Sequence, residues 1–292
     1  MSKIIRKNGT AYMLLLPSLV MILLLYAYPI LLTIIQSFHK VNLLNSEMTF
    51  IGLENYLTIF KDPGFFTTLN ITFKYTAITV LMKIGFGFAL AFLLFQGLYL
   101  KKAFRFLILI PWAIPQVAVS TLWIWILDGN YGYLNYYLQK LGLIKDNIAF
   151  LSNPDSAFFA AAAVDTWLGI SLISMMFLTG LEAIPRELYE ACAMDGASKF
   201  RQFTTITLPG IKKVFLTTFI LVAIWTFNSF NVIYVLTQGG PMRATETLVI
   251  RIYQEAFSRF DLGLSATLTV VAVVILMICT FIYMKRTNYE EL

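Results

Sequence analysis

The chain has 292 residues, 59% of them hydrophobic and 13% charged, with a mean hydropathy of +0.75. A soluble domain carries about 25% charged residues, so that class is excluded. The net charge of +6 does not mark a nucleic-acid binder, because no basic patch interleaved with aromatics occurs. Two cysteines, Cys192 and Cys279, are too few for a disulfide framework, and the lone His39 adds too little for a metal site.

A membrane-spanning helix needs roughly 20 predominantly apolar residues. Six stretches qualify, at 11–38, 69–96, 103–127, 157–181, 214–236 and 264–284. The expected class is therefore all-α, a polytopic membrane protein of one domain. Lys3, Arg6 and Lys7 precede the first stretch, which raises a secretory signal as the rival reading. That stretch is longer than a signal core of about 7–15 residues and lacks a small-residue cleavage site, so it is read as a retained helix. The second stretch carries Lys83 within LMKIGFGF, where an unpaired ammonium is costly. Snorkelling, a buried pair with Asp165 of the fourth stretch, and contact with an acidic substrate are its three open readings. Turn signals at Pro63-Gly64, Gly129-Asn130, Asn153-Pro154 and Gly239-Gly240-Pro241 punctuate the loops at 39–68, 128–156 and 237–263. Between them, 133–141 and 248–257 read as amphipathic, interfacial helices. Positive charge accumulates on cytoplasmic loops. With the N-terminus inside, thirteen of the 22 Lys and Arg fall on inner segments, both termini lie inside, and 182–213 faces the cytoplasm.

That inner segment is charged and turn-bearing. Pro185 suits a first helical position, and Glu187 and Glu190 suit the positive end of a helix dipole. Leu188, Ala191 and Cys192 give one small apolar face. Gly196 permits the left-handed residue that ends such a helix. Ser198 caps a second helix with Phe200, Phe203 and Ile206 on one side, and Pro209 is expected to stop it. The result is a two-helix knob.

The order Glu190, Ala191, Asp195, Gly196, Ala197, then Ile206, Leu208 and Pro209, resembles the EAA loop of permease subunits of ATP-binding-cassette importers. Cys192 replaces the second alanine, a small-for-small change. FIGLENYLTIF, RFLILIPWAIP, GYLNYYLQKLGL and LTQGGPMRATETLVIRIYQEAF resemble the carbohydrate importers, in the member of the permease pair called MalF-like. A departure is that one span, without extra helices or a large outer insertion, precedes the shared core. The resemblance implies a type I ABC importer permease fold. It also implies a second, MalG-like permease chain, two copies of an ATPase that bind ATP and Mg, and a solute-binding protein outside. The knob would dock on the ATPase through Glu190, Ala191, Asp195, Gly196, Ala197, Leu208 and Pro209, and this chain would hold no cofactor.

In that family sugar binds at mid-membrane. Asp165, Leu168, Gly169 and Leu172 recur at i, i+3, i+4 and i+7, and so do Val222, Trp225, Thr226 and Ser229, so each set shares a helical face. The resemblance makes both stripes sugar-lining. Trp225 offers a plate for C–H faces, and Asp165, Thr226 and Ser229 can bond hydroxyls. Gly169 would let substrate approach the backbone. Asn228, Asn231 and Tyr234 rank second, and Lys83 joins the set. Small and hydroxyl residues also mediate plain helix packing, the competing reading for Gly169 and Leu172. No Gly-x-x-x-x-Gly-Lys-Ser/Thr occurs, so no phosphate cradle of that type is encoded. The expected function is a non-enzymatic permease for a sugar or oligosaccharide. The alternatives are an importer of acidic or phosphorylated sugar derivatives, of the glycerol phosphate type, and a secondary transporter, which usually shows repeated halves.

Overall fold

Long apolar runs become helices because every backbone N–H and C=O must find its partner inside the segment when lipid surrounds it. A computed structural model of the chain describes residues 9–44, 47–96 and 101–288; Lys3, Arg6 and Lys7 lie outside them. In chain order the helices are α1 (Gly9–Ile22), α2 (Tyr28–Ser37), α3 (Glu54–Lys61), α4 (Pro63–Phe95), α5 (Lys101–Ala113), α6 (Gln116–Ile126) and α7 (Tyr133–Lys140). There follow α8 (Pro154–Glu182), α9 (Arg186–Met194), α10 (Lys199–Gln202), α11 (Leu208–Gly210), α12 (Lys212–Phe227), α13 (Asn231–Thr237), α14 (Leu248–Tyr253) and α15 (Leu262–Asn288). Among the described residues five helical stretches are long and apolar enough to cross a membrane, and a sixth is completed where a bent pair counts as one.

The chain forms two compact units, one of residues 1–65 with 252–275, the other of 66–251 with 276–292. In the first, α1 and α2 are joined by a π turn, Leu23–Ala27, and make a span with large apolar side chains exposed, as a lipid-facing helix has. A two-strand hairpin, β1 (His39–Val41) and β2 (Met48–Phe50), follows in the register His39 to Phe50 and Val41 to Met48. Buried Asn55 fastens it, donating to the carbonyls of Ser37 (3.1 Å) and His39 (2.9 Å). Gly263 must be glycine there, since a Cβ would lie 2.3 Å from the His39 carbonyl.

In the second unit α8 is the central element. Asn153 caps it by accepting from the Asp155 N–H at 3.1 Å, with Pro154 as its first residue. Small residues let its neighbours come close: a Cβ at Gly87 of α4 would sit 2.6 Å from Ile173 Cγ2, and one at Gly180 would meet Val214. Two apolar clusters result, one containing Tyr75, Ala161, Val164 and Ile233, the other Val80, Ile173, Phe177 and Val222. Near the start of α4, Thr68 donates to buried Glu246 at 2.8 Å, and Arg243 pairs with the same carboxylate at 2.6 Å.

Three expectations need correction. The third stretch, 103–127, is not one straight span: α5 and α6 meet at 92° around Ile114–Pro115. Proline clashes with the helical conformation of the residue before it and lacks a donor. Pro209 does not stop its helix. A π turn, Phe203–Thr207, runs directly into α11, and Leu208 N–H reaches the Phe203 carbonyl. The helix ends one residue after Pro209, at Gly210, and a single turn residue, Ile211, separates it from α12. Phe200 is 76% exposed and does not share the packed side of Phe203 and Ile206.

Candidate functional site

The α4, α8 and α12 helices meet at a buried polar knot, to which α4 gives two side chains and the others one each. Lys83 Nζ lies 3.0 Å from Asp165 Oδ1 and donates to Thr226 Oγ1 at 3.1 Å. Tyr75, about two turns earlier on α4, donates to Asp165 Oδ2 and to the Ala161 carbonyl, both at 3.3 Å. The Lys83 and Asp165 side chains are each 8% exposed. Of the three readings of Lys83, this geometry realises the buried pair: the ammonium ends on a carboxylate instead of reaching for an interface. Either charge alone would be costly at this depth, and each compensates the other.

Gly169 has a role that sequence did not suggest. A Cβ there would sit 2.8 Å from Lys83 Cε and 3.0 Å from Cδ. The lysine stem crosses α8 through the gap that glycine leaves.

Around the knot opens a cleft of about 590 Å³. Of the twelve residues proposed from sequence for substrate, eleven line it, among them Lys83, the α8 stripe Asp165, Leu168, Gly169 and Leu172, and Val222, Trp225, Thr226, Asn228 and Ser229. Ser229 falls just beyond the end of α12, because the helix breaks at 228–230 before α13 resumes. Asn231 also lines the cleft; Tyr234 does not, and stacks on Phe230 with ring centroids 4.9 Å apart. Sequence reasoning missed Trp112, Gln116, Ile173 and Phe230. Trp112 and Gln116 flank the Ile114–Pro115 bend, and that Ile-Pro step was the available signal. Gln116 accepts from Asn231 at 3.0 Å, tying the first residues of α6 and α13 together at the two helix breaks. Among the described residues no three His, Cys, Asp or Glu side chains group as a metal site.

The 182–213 insert is a separate feature of the same unit. Gly196 takes a φ of +73° after α9. The Ala197 N–H reaches the Cys192 carbonyl (3.1 Å), and Gly196 N–H reaches that of Ala193 (3.0 Å), satisfying the last carbonyls of the helix. Ser198 caps α10 through Arg201 N–H. Tyr189 Oη and Thr207 Oγ1, 3.0 Å apart, hold the two arms together. Phe203 packs on Phe88 and Phe92 of α4, with centroids at 6.2 and 5.4 Å. Glu190, Ala191, Asp195, Gly196, Leu208 and Pro209 are exposed and Ala197 is half-buried, while Met194 at the tip is 88% exposed.

Membrane-length helices around a polar-lined cleft, with an exposed helical elbow beneath, define a polytopic transport permease. The chain belongs to the family described as the binding-protein-dependent transport system inner membrane component, whose model matches residues 83–288. It is 32% identical over 286 residues to the trehalose/maltose transport system permease protein MalF of Thermococcus litoralis, covering 98% of this chain and 96% of that one. It is 35% identical over 282 residues to the sulfoquinovosyl glycerol transport system permease protein SmoG of Agrobacterium fabrum, covering 96% and 91%. Its fold matches a chain of the bacterial alginate ABC transporter solved with an alginate pentasaccharide-bound periplasmic protein. That match has a TM-score of 0.82 at 19% identity, over 97% of this chain and 95% of the other.

Removing one member of a buried pair leaves the other uncompensated, a loss of about 3–5 kcal/mol. Lys83→Met and Asp165→Asn are each expected to lower the melting temperature of the detergent-solubilised protein, and the double variant to regain most of the loss. Additive losses would contradict the pairing. Gly169→Ala should destabilise by about 1–3 kcal/mol through overpacking, with a visibly smaller penalty in the Lys83→Met background, where a shorter uncharged stem remains.

Proposed function

We propose that this chain is one of the two permease subunits of an ATP-driven sugar importer in the cell membrane. The observation that carries the reading is that eleven of the twelve sequence-selected residues meet on one cleft, in a chain alike over nearly its whole length to sugar permeases. The cleft chemistry suits saccharides. Trp225 and Trp112, 51% and 57% exposed, offer apolar plates; Asn228, Ser229, Gln116 and the charged pair offer hydrogen bonds.

In this account an external binding protein delivers the sugar. A second, MalG-like chain completes the pathway. Two ATPase copies hold ATP and Mg, while this chain binds no cofactor and catalyses nothing. Both termini face the cytoplasm, and the exposed elbow from Glu190 to Pro209 seats on the ATPase. Two features support that last step: Gly196 turns the tip, and the elbow continues into α12, which carries Thr226 of the cleft. A second reading, an acidic or phosphorylated sugar derivative, draws on the ammonium of Lys83 in the cleft wall.

Proteoliposomes should take up labelled sugar only when the second permease chain, the ATPase, the binding protein and ATP are all present. Uptake by this chain alone on an ion gradient would contradict the reading. Gly196→Val forces a β-branched side chain into the left-handed region, at roughly 1–2 kcal/mol. It should cut ATP-coupled uptake about tenfold while a fluorescent fusion still reports membrane insertion; wild-type uptake would remove the elbow's coupling role.

A further inference from the structure

The sugar-permease reading leaves the charge of the substrate open, and the knot of Lys83 and Asp165 bears on it. Among the described residues lining the cleft, Lys83 and Asp165 alone are charged, so this wall carries no net charge. Lys83 is already neutralised by a carboxylate at 3.0 Å. An entering anion would not meet a free cation there.

Neither partner is exhausted by the other. An ammonium has three donors. Lys83 directs one to Asp165 and one to Thr226, leaving one. An ionised carboxylate accepts at about four sites. Asp165 receives Lys83 and Tyr75, leaving about two. Both side chains line the cleft and each keeps 8% exposure. One spare donor and spare acceptors therefore stand side by side. That pattern matches adjacent hydroxyls of a neutral sugar, where one oxygen accepts from the ammonium and a neighbouring O–H donates to the carboxylate. A carboxylate, phosphate or sulfonate group at the same place presents acceptor oxygens where the hydroxyl would donate, and adds a negative charge beside Asp165 in a partly desolvated wall.

We propose that the Lys83–Asp165 pair is a charge-neutral diol clamp that restricts this subunit's half of the pathway to uncharged saccharides, with Asp165 as the residue that rejects anions. The inference rests on the sugar-permease reading and deepens it. It also opposes that reading's acidic-substrate variant.

The test uses the importer assembled in lipid nanodiscs and held closed with a non-hydrolysable ATP analogue. The binding protein is omitted so that its own selectivity does not filter the ligands. Binding of neutral oligosaccharides of two to four hexose units is compared, by calorimetry, with the same chains oxidised to uronates or bearing a terminal phosphate. Wild type is expected to bind the neutral chains about ten- to a hundredfold more tightly, the weight of one charge-assisted hydrogen bond. Asp165→Asn should narrow that gap by weakening the neutral ligand and admitting the anion. Anionic chains binding wild type as well as neutral ones, and failing on Lys83→Met, would overturn the proposal while leaving the sugar-permease reading intact. An unchanged gap in a folded Asp165→Asn would overturn the role given to Asp165. Should neither class bind, the sugar reading itself fails and the clamp with it. The wild-type comparison decides the charge question even if both variants assemble poorly.

Discussion

An ammonium and a carboxylate, 3.0 Å apart in the middle of the helices, constrain everything around them. Neither ion is tolerable alone where water is scarce, so the two helices that carry them are held at one depth and one rotation. Thr226 adds α12 to the same point, and Tyr75 a second contact from α4. The site's other features follow. Gly169 is small because the lysine stem needs its volume. The stripes on α8 and α12 line one cleft, where Asp165 and Thr226 meet at the same lysine. Irregular backbone at 114–115 and 228–230 is tolerable because it borders a cavity, where freed polar groups can still be satisfied.

The same helices connect this knot to the exposed elbow. The α4 helix carries Lys83 and, about one and a half and two and a half turns further on, Phe88 and Phe92, against which Phe203 of the elbow packs. The elbow's second arm passes through the π turn and α11 into α12 without a flexible linker. In the proposed importer, this is the route by which a displacement of the elbow would reach the helices that hold the cleft. The π turn at Phe203–Thr207 carries the helical backbone up to Pro209, and the single turn residue Ile211 separates α11 from α12.

The apolar blocks, the turn of the elbow and the shared face of each stripe were legible from local pattern, while the assignment of those stripes to a substrate cleft came from the resemblance to importer permeases. A run of about 20 apolar residues has one low-energy arrangement in lipid, and residues at i, i+3, i+4 and i+7 must share a face. Gly196 and Ser198 signal a turn and a cap through their own backbone chemistry. Long-range facts were harder. Lys83 had three sequence readings, and only the packing of α4 against α8 chose among them. Gly169 looked like a door for substrate, and its volume is occupied by a side chain 86 positions earlier in the chain. Trp112 and Gln116 were hidden because the hydropathy of 103–127 suggests a straight rod, whereas Pro115 bends it by 92° and turns both residues to the cleft. The Asn55 anchor of the first unit depends likewise on tertiary contacts with the Ser37 and His39 carbonyls.

Central to this account is that the cleft beside the ion pair is the route that solute takes. Thiol labelling addresses it most directly. With Cys192 and Cys279 replaced by serine, a single cysteine is placed at Ser229, and the assembled importer is exposed to a charged, membrane-impermeant maleimide. The account predicts labelling that an excess of transported sugar slows, with no such protection for a cysteine at lipid-facing Leu81, 67% exposed. Labelling at Ser229 that is indifferent to every transported sugar, or that occurs only with lipid-soluble reagents, would contradict it.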